Sequence, residues 1–237
     1  MFKLSIIIPV FNEERTLKKV IESLKIVPWE SYQISPELII VIDPKTSDNS
    51  AFIAQEFIDV LCLFPEIGGK GAAIRYAADR ASGDYIGIQD ADLEYSFEDY
   101  PLFLKELQKR KDDVLLLGRR RRRFPLTFRE ALAWFGSLCI TCCLSLFYRK
   151  LIFDQACMFK FFPRALIKKY NICRSGFDFE IELICKALKE SIPFVQIPVR
   201  YVPRSYREGK KLNLLKDGVA IFTTLWRLRF SKLFDIM

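Results

Sequence analysis

The first 118 residues alternate short apolar runs with segments of helical periodicity, and this alternation constrains the fold more than any other feature of the sequence. Apolar runs predict buried strands at residues 4–10, 37–42, 60–64, 84–89 and 113–118. Helices are predicted from an N-cap at Asn12 to about residue 26, and at 50–58, 68–80 and 97–110. Such alternation through short loops indicates an α/β domain with a mostly parallel sheet.

Polar residues follow several of these predicted strands. In open α/β sheets, ligands bind beyond the carboxyl ends of the strands. The residues that this rule places at the binding edge are Asn12, Asp43, Lys70, Asp90, Asp92 and Arg119.

The second half of the chain is basic and less regular. Residues 1–118 carry a net charge of −7, whereas residues 119–237 carry +15 and begin with five consecutive Arg. Such basic groups suit phosphates on an anionic lipid, a substrate or a nucleic acid, but no nucleic-acid-binding motif accompanies them. The elements predicted here are a strand near 151–160, an amphipathic helix at 177–190, an extended segment at 192–202 and a helix at 212–234.

Residues 131–148 contain no charged side chain. This run is just long enough to span a membrane, but a span would place Asp154 and Glu182 across the bilayer from Asp90. The alternatives are a buried core helix and a helix or hairpin on the membrane surface, which the flanking basic residues favour. The helix at 212–234 either docks alongside it or covers the sheet.

The cysteine and histidine content excludes several kinds of site. Seven Cys lack metal-ligand spacing, and without any His the chain has neither a typical zinc set nor the usual base for a Ser or Cys nucleophile. An odd Cys count without a leader-like N-terminus favours a reducing, cytoplasmic setting.

Asp90-Ala91-Asp92 follows a predicted strand, where two carboxylates can bind one hard divalent cation. Glu94 offers a further oxygen, and a solvated turn is the alternative. Gly68 to Gly71 resembles a phosphate cradle at a helix start, with a flexible turn as the alternative. Asp43 is suited either to accept hydrogen bonds from a nucleotide base or to a local turn before Pro44.

Four motifs in order resemble family-2 glycosyltransferases. They are SIIIPVFNEE at residues 5–14, VIDPKTSDNS at 41–50, GKGAA at 69–73 and GDYIGIQDADLE at 83–94. The resemblance implies a GT-A fold, Rossmann-like with a mostly parallel sheet flanked by helices, a nucleotide-sugar donor and a divalent metal, Mg²⁺ or Mn²⁺.

Later segments are similar to the polyprenyl-phosphate glycosyltransferases, which include the dolichyl-phosphate sugar synthases. These segments are LGR at 117–119, Arg129, DQACMFK at 154–160, FEIEL at 179–183 and YREGKKL at 206–212. The departures from the family pattern are Pro44 and Lys45 for Asp-Gly, Glu94 for Gln, Met158 for Gly and Lys210 for Ser, and they bear on the acceptor more than on the fold.

The resemblance also implies roles for individual residues. Donor binding falls on Pro9, Phe11, Glu13, Asp43, Lys70, Asp90 and Ala91. The metal falls on Asp90, Asp92 and Glu94. The catalytic set is Asp92, Arg119, Arg129 and Asp154. The acceptor phosphate or its loop falls on Arg119, Arg129, Arg207, Lys210 and Lys211. For Asp154, a buried carboxylate paired with an Arg is the structural alternative.

We therefore expect a GT-A domain at 1–211, with 131–148 at a membrane surface, followed by an amphipathic helix at 212–237. The expected activity is metal-dependent, inverting transfer of a hexose from a UDP- or GDP-sugar to a polyprenyl phosphate at the cytoplasmic face of an anionic membrane. Two alternatives remain. One is transfer to a hydroxyl of a glycan or lipid, with Asp154 or Glu182 as base. The other is a non-catalytic, basic peripheral-membrane protein.

Overall fold

The computed structural model describes residues 2–109, 113–121, 127–204 and 213–234. The strands are β1 (Phe2–Val10), β2 (Ile34–Ile42), β3 (Leu61–Leu63), β4 (Tyr85–Ile88), β5 (Leu115–Arg120), β6 (Lys160–Pro163) and β7 (Phe194–Val199). The helices are α1 (Leu17–Lys25), α2 (Ser50–Gln55), α3 (Lys70–Ala78), α4 (Tyr100–Lys109), α5 (Phe128–Tyr148), α6 (Ala165–Lys169), α7 (Phe179–Lys189) and α8 (Leu214–Phe234).

The seven strands form one sheet in the order β3-β2-β1-β4-β6-β5-β7. The pairs β1–β2, β1–β4, β2–β3 and β5–β7 are parallel, and β6 runs antiparallel to both of its neighbours. The predicted α/β class with a mostly parallel sheet is therefore confirmed. The carboxyl ends of β1, β2 and β4 meet at one edge, and this places residues 11–13, 43 and 90–94 together.

The antiparallel strand β6 differs from the sequence prediction. Residues 151–159 form no regular strand, so the predicted strand near 151–160 is wrong, and β6 begins only at Lys160. Every residue of β6 is buried, including Lys160, whose charge interrupts the apolar pattern. Phe161 packs against Phe103 of α4 with ring centroids 4.8 Å apart, which anchors the strand in the aromatic core.

The first helix begins later than predicted. Its first residue is Leu17, and Asn12 is not its N-cap. Asn12 instead has a positive φ of 50°, and its Oδ1 accepts a hydrogen bond from the N–H of Ser47 over 2.8 Å. The segment between β1 and α1 therefore forms a turn at the carboxyl edge of the sheet, with Glu13 in it rather than in a helix.

Helix α5 starts with a capping box. Thr127 Oγ1 accepts from the N–H of Glu130, and the Glu130 carboxylate accepts from the N–H of Thr127. Residues 130–148 of this helix are long and apolar enough to cross a membrane, by length and composition only. Only 11% of that stretch is buried, so the buried-core interpretation is wrong. Because β5 and β6 flank α5 in sequence and pair directly, one crossing by α5 would separate two adjacent strands.

Candidate functional site

The turn after β2 is tied to the loop before α3. Asp43 Oδ2 accepts a hydrogen bond from the N–H of Gly69 over 2.7 Å, and Oδ1 accepts from the N–H of Lys45 over 2.9 Å. Gly69 has a φ of +111°, a conformation that side chains disfavour. The predicted base-binding carboxylate therefore also fixes the backbone that precedes Lys70.

The start of α3 is closed by the protein itself. The N–H groups of Gly71 and Ala72 donate to the carbonyl oxygen of Ser175, over 2.9 and 3.2 Å. A Cβ on Gly71 would lie only 2.4 Å from the carbonyl oxygen of Arg174. The glycines thus permit close packing of the 173–178 loop, and the interpretation of Gly68 to Gly71 as an open phosphate cradle is wrong.

Lys70 joins this helix to the end of β4. Its Nζ lies 2.5 Å from Asp90 Oδ1, with both side chains about 15% exposed. Burial opposes the charge on Lys70, but Asp90 and Glu180 raise the pKa of its amine above the ordinary value. Lys70 is therefore a fixed cation at the carboxyl edge of the sheet.

The Asp90–Glu94 loop is held from two sides. Thr16 Oγ1 donates to the carbonyl oxygen of Ala91 over 2.6 Å. Leu93 has a φ of 60°, unusual for a residue with a branched side chain, and the N–H of Glu94 donates to Asp92 Oδ1 over 3.1 Å. The Asp92 carboxylate faces the segment that follows β7, where Arg204 Nη2 donates to its Oδ2.

Arg204 enters the same site from the segment after β7. It donates from Nη1 and Nη2 to the two carboxylate oxygens of Glu13, over 2.8 and 3.0 Å, and from Nη2 to Asp92 Oδ2 over 3.1 Å. Its backbone N–H donates to Glu94 Oε1 over 2.8 Å. Three carboxylates from two distant parts of the chain therefore surround one guanidinium.

The segment that carries Arg204 is anchored to the loop after Asp92. The N–H of Val202 donates to the carbonyl oxygen of Glu94 over 2.9 Å, and Tyr201 forms an antiparallel bridge with Tyr95. Sequence reasoning missed Arg204 because its partners lie more than 100 residues away. The available signal for Arg204 was its position two residues before the YREGKKL motif at 206–212.

The site carries surplus negative charge. Among the described residues, the four carboxylates of Glu13, Asp90, Asp92 and Glu94 outnumber by two the basic side chains seen beside them, Lys70 and Arg204. Burial, followed by the charges of Asp90 and Glu94, raises the pKa of Asp92 to about 7. Burial and the neighbouring carboxylates therefore disfavour the charged form of Asp92.

No group of three or more His, Cys, Asp or Glu converges in metal-binding geometry in the part of the chain that the structure describes. Glu94 is turned to the backbone of Arg204 rather than joined to Asp90 and Asp92 as a third ligand. The donor set still fits a hard divalent cation, because two partly buried aspartates supply oxygen ligands and the described carboxylates carry two surplus negative charges. Donor phosphate oxygens and water complete the shell of such ions in many proteins.

Asp154 forms a buried ion pair. Its carboxylate accepts from Nε, Nη2 and the backbone N–H of Arg120, over 2.7, 2.8 and 3.1 Å, and its side chain is fully buried. Asp154 is thus a buried carboxylate paired with an Arg, which was the alternative to a catalytic role. Arg120 also lies 5.0 Å from the ring of Tyr201, beside the Glu94 loop.

Arg119 and Arg120 point to opposite faces of β5, as successive strand residues must. The Arg119 guanidinium lies 4.8 Å from the ring of Phe153, while Arg120 faces Asp154. Sequence reasoning chose Arg119 as a site residue and gave Arg120 no individual role. In the structure Arg120 is partly buried, with its guanidinium bound to Asp154.

The remaining predicted site residues lie at different positions. Pro9 is the second-last residue of β1, and Phe11, just after the strand, is 38% exposed at the carboxyl edge. Arg129 is in the first turn of α5, but its side chain lies outside the described part of the structure. Arg207, Lys210 and Lys211 also fall outside the described residues.

Comparison with known proteins gives a consistent result. The sequence profile of Glycosyl transferase family 2 matches residues 5–170. A low-salt glycan biosynthesis hexosyltransferase, Agl6 of Haloferax volcanii, is 29% identical over 217 residues, which cover 91% of this chain and 51% of that protein. Dodecaprenyl-phosphate galacturonate synthase of Rhizobium johnstonii is 27% identical over 176 residues, 72% of this chain and 50% of that protein. The chain thus spans about half the length of these two relatives.

A third relative is covered more fully. Undecaprenyl-phosphate 4-deoxy-4-formamido-L-arabinose transferase of Proteus mirabilis is 27% identical over 233 residues, 94% of this chain and 68% of that protein. Among solved structures, glucosyl-3-phosphoglycerate synthase of Mycobacterium tuberculosis, with Mn²⁺, UDP and phosphoglyceric acid, superposes with a TM-score of 0.75 at 18% identity. The superposition covers 96% of this chain and 78% of the solved chain, so the two proteins share a fold.

Proposed function

Because this chain belongs to glycosyl transferase family 2, we propose that it transfers a hexose from a nucleotide-sugar to a polyprenyl phosphate at a membrane surface. The observation that carries the proposal is the site at the carboxyl edge of the sheet, where Asp90 and Asp92 lie beside Lys70 and Arg204. Two of the relatives are named for polyprenyl-phosphate acceptors or products, which supports the acceptor class.

The donor would bind across the ends of β1, β2 and β4. Asp43 is placed to contact the base, while Lys70 and Arg204 offer positive charge to the diphosphate. Asp90 and Asp92, with Glu94 nearby, are the residues that would hold Mg²⁺ or Mn²⁺. Such an ion, when bound, offsets the charge that grows on the departing nucleotide diphosphate. The solved structure with Mn²⁺ and UDP supports this assignment.

A phosphate acceptor suits the side chains that are present. A phosphate monoester is already ionised near neutral pH, because its second pKa is about 6, so it needs no strong base. A hydroxyl acceptor needs one, and the two candidate bases are engaged. Asp154 is held by Arg120, and Glu182 is held by Lys186 and by the N–H groups of residues 173 and 174. These contacts favour direct attack by phosphate on the anomeric carbon, with inversion.

The acceptor phosphate must be held against an anionic donor, which requires basic side chains. Arg119 lies at the end of β5 near this edge of the sheet, and Arg129, Arg207, Lys210 and Lys211 remain candidates by resemblance. Guanidinium groups suit this role because they bind phosphate oxygens in a forked geometry.

Two exposed apolar stripes suit a membrane surface. On α5, Leu132, Phe135, Cys139, Cys142 and Leu146 recur at helical spacing, and all five are exposed. On α8, the exposed stripe is Leu215, Val219, Phe222 and Trp226. The helices meet through Phe147 and Trp226, with ring centroids 6.0 Å apart. We propose that this pair lies in the surface of an anionic, cytoplasm-facing leaflet, with exposed basic residues toward the headgroups.

Product analysis tests the proposal. Purified protein with Mn²⁺ or Mg²⁺ is incubated with labelled UDP- and GDP-hexoses and either polyprenyl phosphate or a free-hydroxyl glycan. We expect an acid-labile lipid-phosphate sugar. A product on the glycan alone, with every donor tried, would contradict the phosphate acceptor.

A matched pair of variants separates an enzyme from a binding protein. Asp92→Asn removes a charge from the proposed metal site, whereas Asp59→Asn removes one from an exposed pair with Lys25. We expect turnover to be lost only in the first. Unchanged turnover in Asp92→Asn would exclude Asp92 from the metal site.

A further inference from the structure

Arg204 binds one of the carboxylates that would hold a divalent cation. Its guanidinium binds the Asp92 carboxylate, one of the two proposed metal ligands, and both oxygens of Glu13. We propose that Arg204 is a resident cation that competes with the divalent metal for Asp92, and that metal binding frees its guanidinium from Asp92. This inference rests on the proposed metal site.

The contacts of Arg204 differ in a way that permits such an exchange. The fork onto Glu13 uses both terminal nitrogens, and the bond to Asp92 shares Nη2 with that fork. Nε has no hydrogen-bond partner among the described residues and lies 3.9 Å from Glu94 Oε1. Loss of the Asp92 contact therefore removes one shared hydrogen bond and leaves the bidentate pair with Glu13 intact.

The backbone around Arg204 stays fixed during such an exchange. Its N–H is bound by Glu94, and Val202 is bound by the carbonyl of the same residue. Only the guanidinium must then move, and it remains beside the site because Glu13 is on the same edge of the sheet. A guanidinium released from Asp92 but retained there is placed to bind an anion next to the metal.

The charge balance explains how the site can hold Arg204 against Asp92 in one state and a divalent ion against Asp92 in the other. Among the described residues, the four carboxylates exceed Lys70 and Arg204 by two charges, so a divalent ion balances these groups only while Arg204 remains nearby. Without the metal, Arg204 Nη2 supplies a counter-charge 3.1 Å from Asp92 Oδ2. Each cation raises the cost of placing the other against the same carboxylate, because like charges repel strongly at low dielectric.

Mn²⁺ binding without nucleotide tests the competition, measured by electron paramagnetic resonance of free Mn²⁺. We expect affinity to rise from the wild type to Arg204→Lys to Arg204→Gln, by on the order of tenfold at the last step, since Lys keeps the charge but loses the fork. Arg200→Gln is the matched control. Arg200 lies on the same segment as Arg204, and this substitution breaks its ion pairs with Glu98 and Asp99. It should not change the affinity for Mn²⁺.

Thermal unfolding supplies a second measurement. Arg204→Gln should lower Tm without metal, and Mn²⁺ should raise Tm more in this variant than in the wild type. If Arg204→Gln does not fold, Arg204→Lys decides: affinity equal to wild type overturns the proposal.

The outcomes separate this inference from the proposed function. Wild-type sugar transfer and Mn²⁺ binding with unchanged or weaker binding in Arg204→Gln would overturn the competition alone. The predicted order of affinities without sugar transfer would support the competition and contradict the activity. No Mn²⁺ binding by any variant, with or without UDP or GDP, would overturn both the competition and the metal site.

Discussion

The N–H of Gly71 donates to the carbonyl oxygen of Ser175 over 2.9 Å, although the two residues are 104 positions apart. This bond places the loop before α7 directly on the start of α3, one residue beyond Lys70. The position of Lys70, and through it that of Asp90, therefore depends on a segment that the sequence motifs do not include.

Replacing Gly71 by Ala should destabilise the fold by about 1–3 kcal/mol, because the added Cβ would meet the Arg174 carbonyl at 2.4 Å and the Phe179 Cβ at 2.6 Å. Gly136→Ala is the control: nothing lies within 4 Å of its Cβ, and Ala favours helix α5 by up to about 1 kcal/mol. Chemical denaturation measures both. Equal midpoints would show that the α3 start is not tightly packed.

Lys160 and Glu180 form a buried ion pair over 2.7 Å, with Lys160 fully buried. Lys160→Met alone should cost about 3–5 kcal/mol of unfolding free energy, because it leaves Glu180 without its counter-charge. The double variant Lys160→Met with Glu180→Gln should recover part of that loss. A double-mutant cycle from denaturation curves gives the coupling, and strict additivity would contradict the pairing.

The two neighbouring arginines of β5 should behave differently when truncated. Arg120→Ala removes the guanidinium that binds the buried Asp154 carboxylate, at a cost of about 3–5 kcal/mol. Arg119→Ala removes the contact with the Phe153 ring, worth about 0.5–1 kcal/mol, and should reduce transfer to a phosphate acceptor while the fold is retained. Denaturation and turnover are measured in parallel. A large stability loss in Arg119→Ala would contradict the assignment of Arg120, rather than Arg119, to the ion pair with Asp154.

Glu182 links stability to acid pH. Burial acts to raise its pKa, but hydrogen bonds from Lys186 and from the N–H groups of Arg174 and Cys173 lower the pKa below the ordinary 4.5. A carboxyl whose folded pKa is lowered stabilises the fold above about pH 4.5 and loses that contribution as pH falls through the folded value. Glu182→Gln should therefore flatten the stability profile below pH 4.5, as followed by denaturation midpoints. An unchanged acid slope would contradict this assignment.

Cysteine labelling tests the membrane face. Cys139 and Cys142 belong to the exposed stripe of α5, whereas Cys173 is exposed in the loop before α7. Anionic vesicles should slow the reaction of the two α5 thiols with a water-soluble maleimide and leave Cys173 unchanged. Cys157 and Cys185 should not react in the folded state, because burial raises the pKa of both thiols to about 12. Equal rates for Cys139 and Cys173 with vesicles would contradict docking through α5.

The first half of the chain was predictable because its signals are local. Strands β1, β2, β4 and β5 are short apolar runs, and Asp43, Asp90 and Asp92 fall at the ends of strands by sequence position alone. Strand β6 was not predictable, because it runs antiparallel between β4 and β5 and buries a charged residue, Lys160. The charge of Lys160 is paired with Glu180, a partner 20 positions away.

The sequence by itself determined the family, the α/β fold and the aspartates at the binding edge, since each depends on residues adjacent along the chain. Only the tertiary structure decided which cation each carboxylate meets. Asp154 is paired with Arg120 and Asp92 with Arg204, because strand alternation and the return of the chain after β7 bring distant side chains together. Ion pairs between residues more than 30 positions apart leave no periodic signal in the sequence, so their partners are fixed only when the sheet has formed.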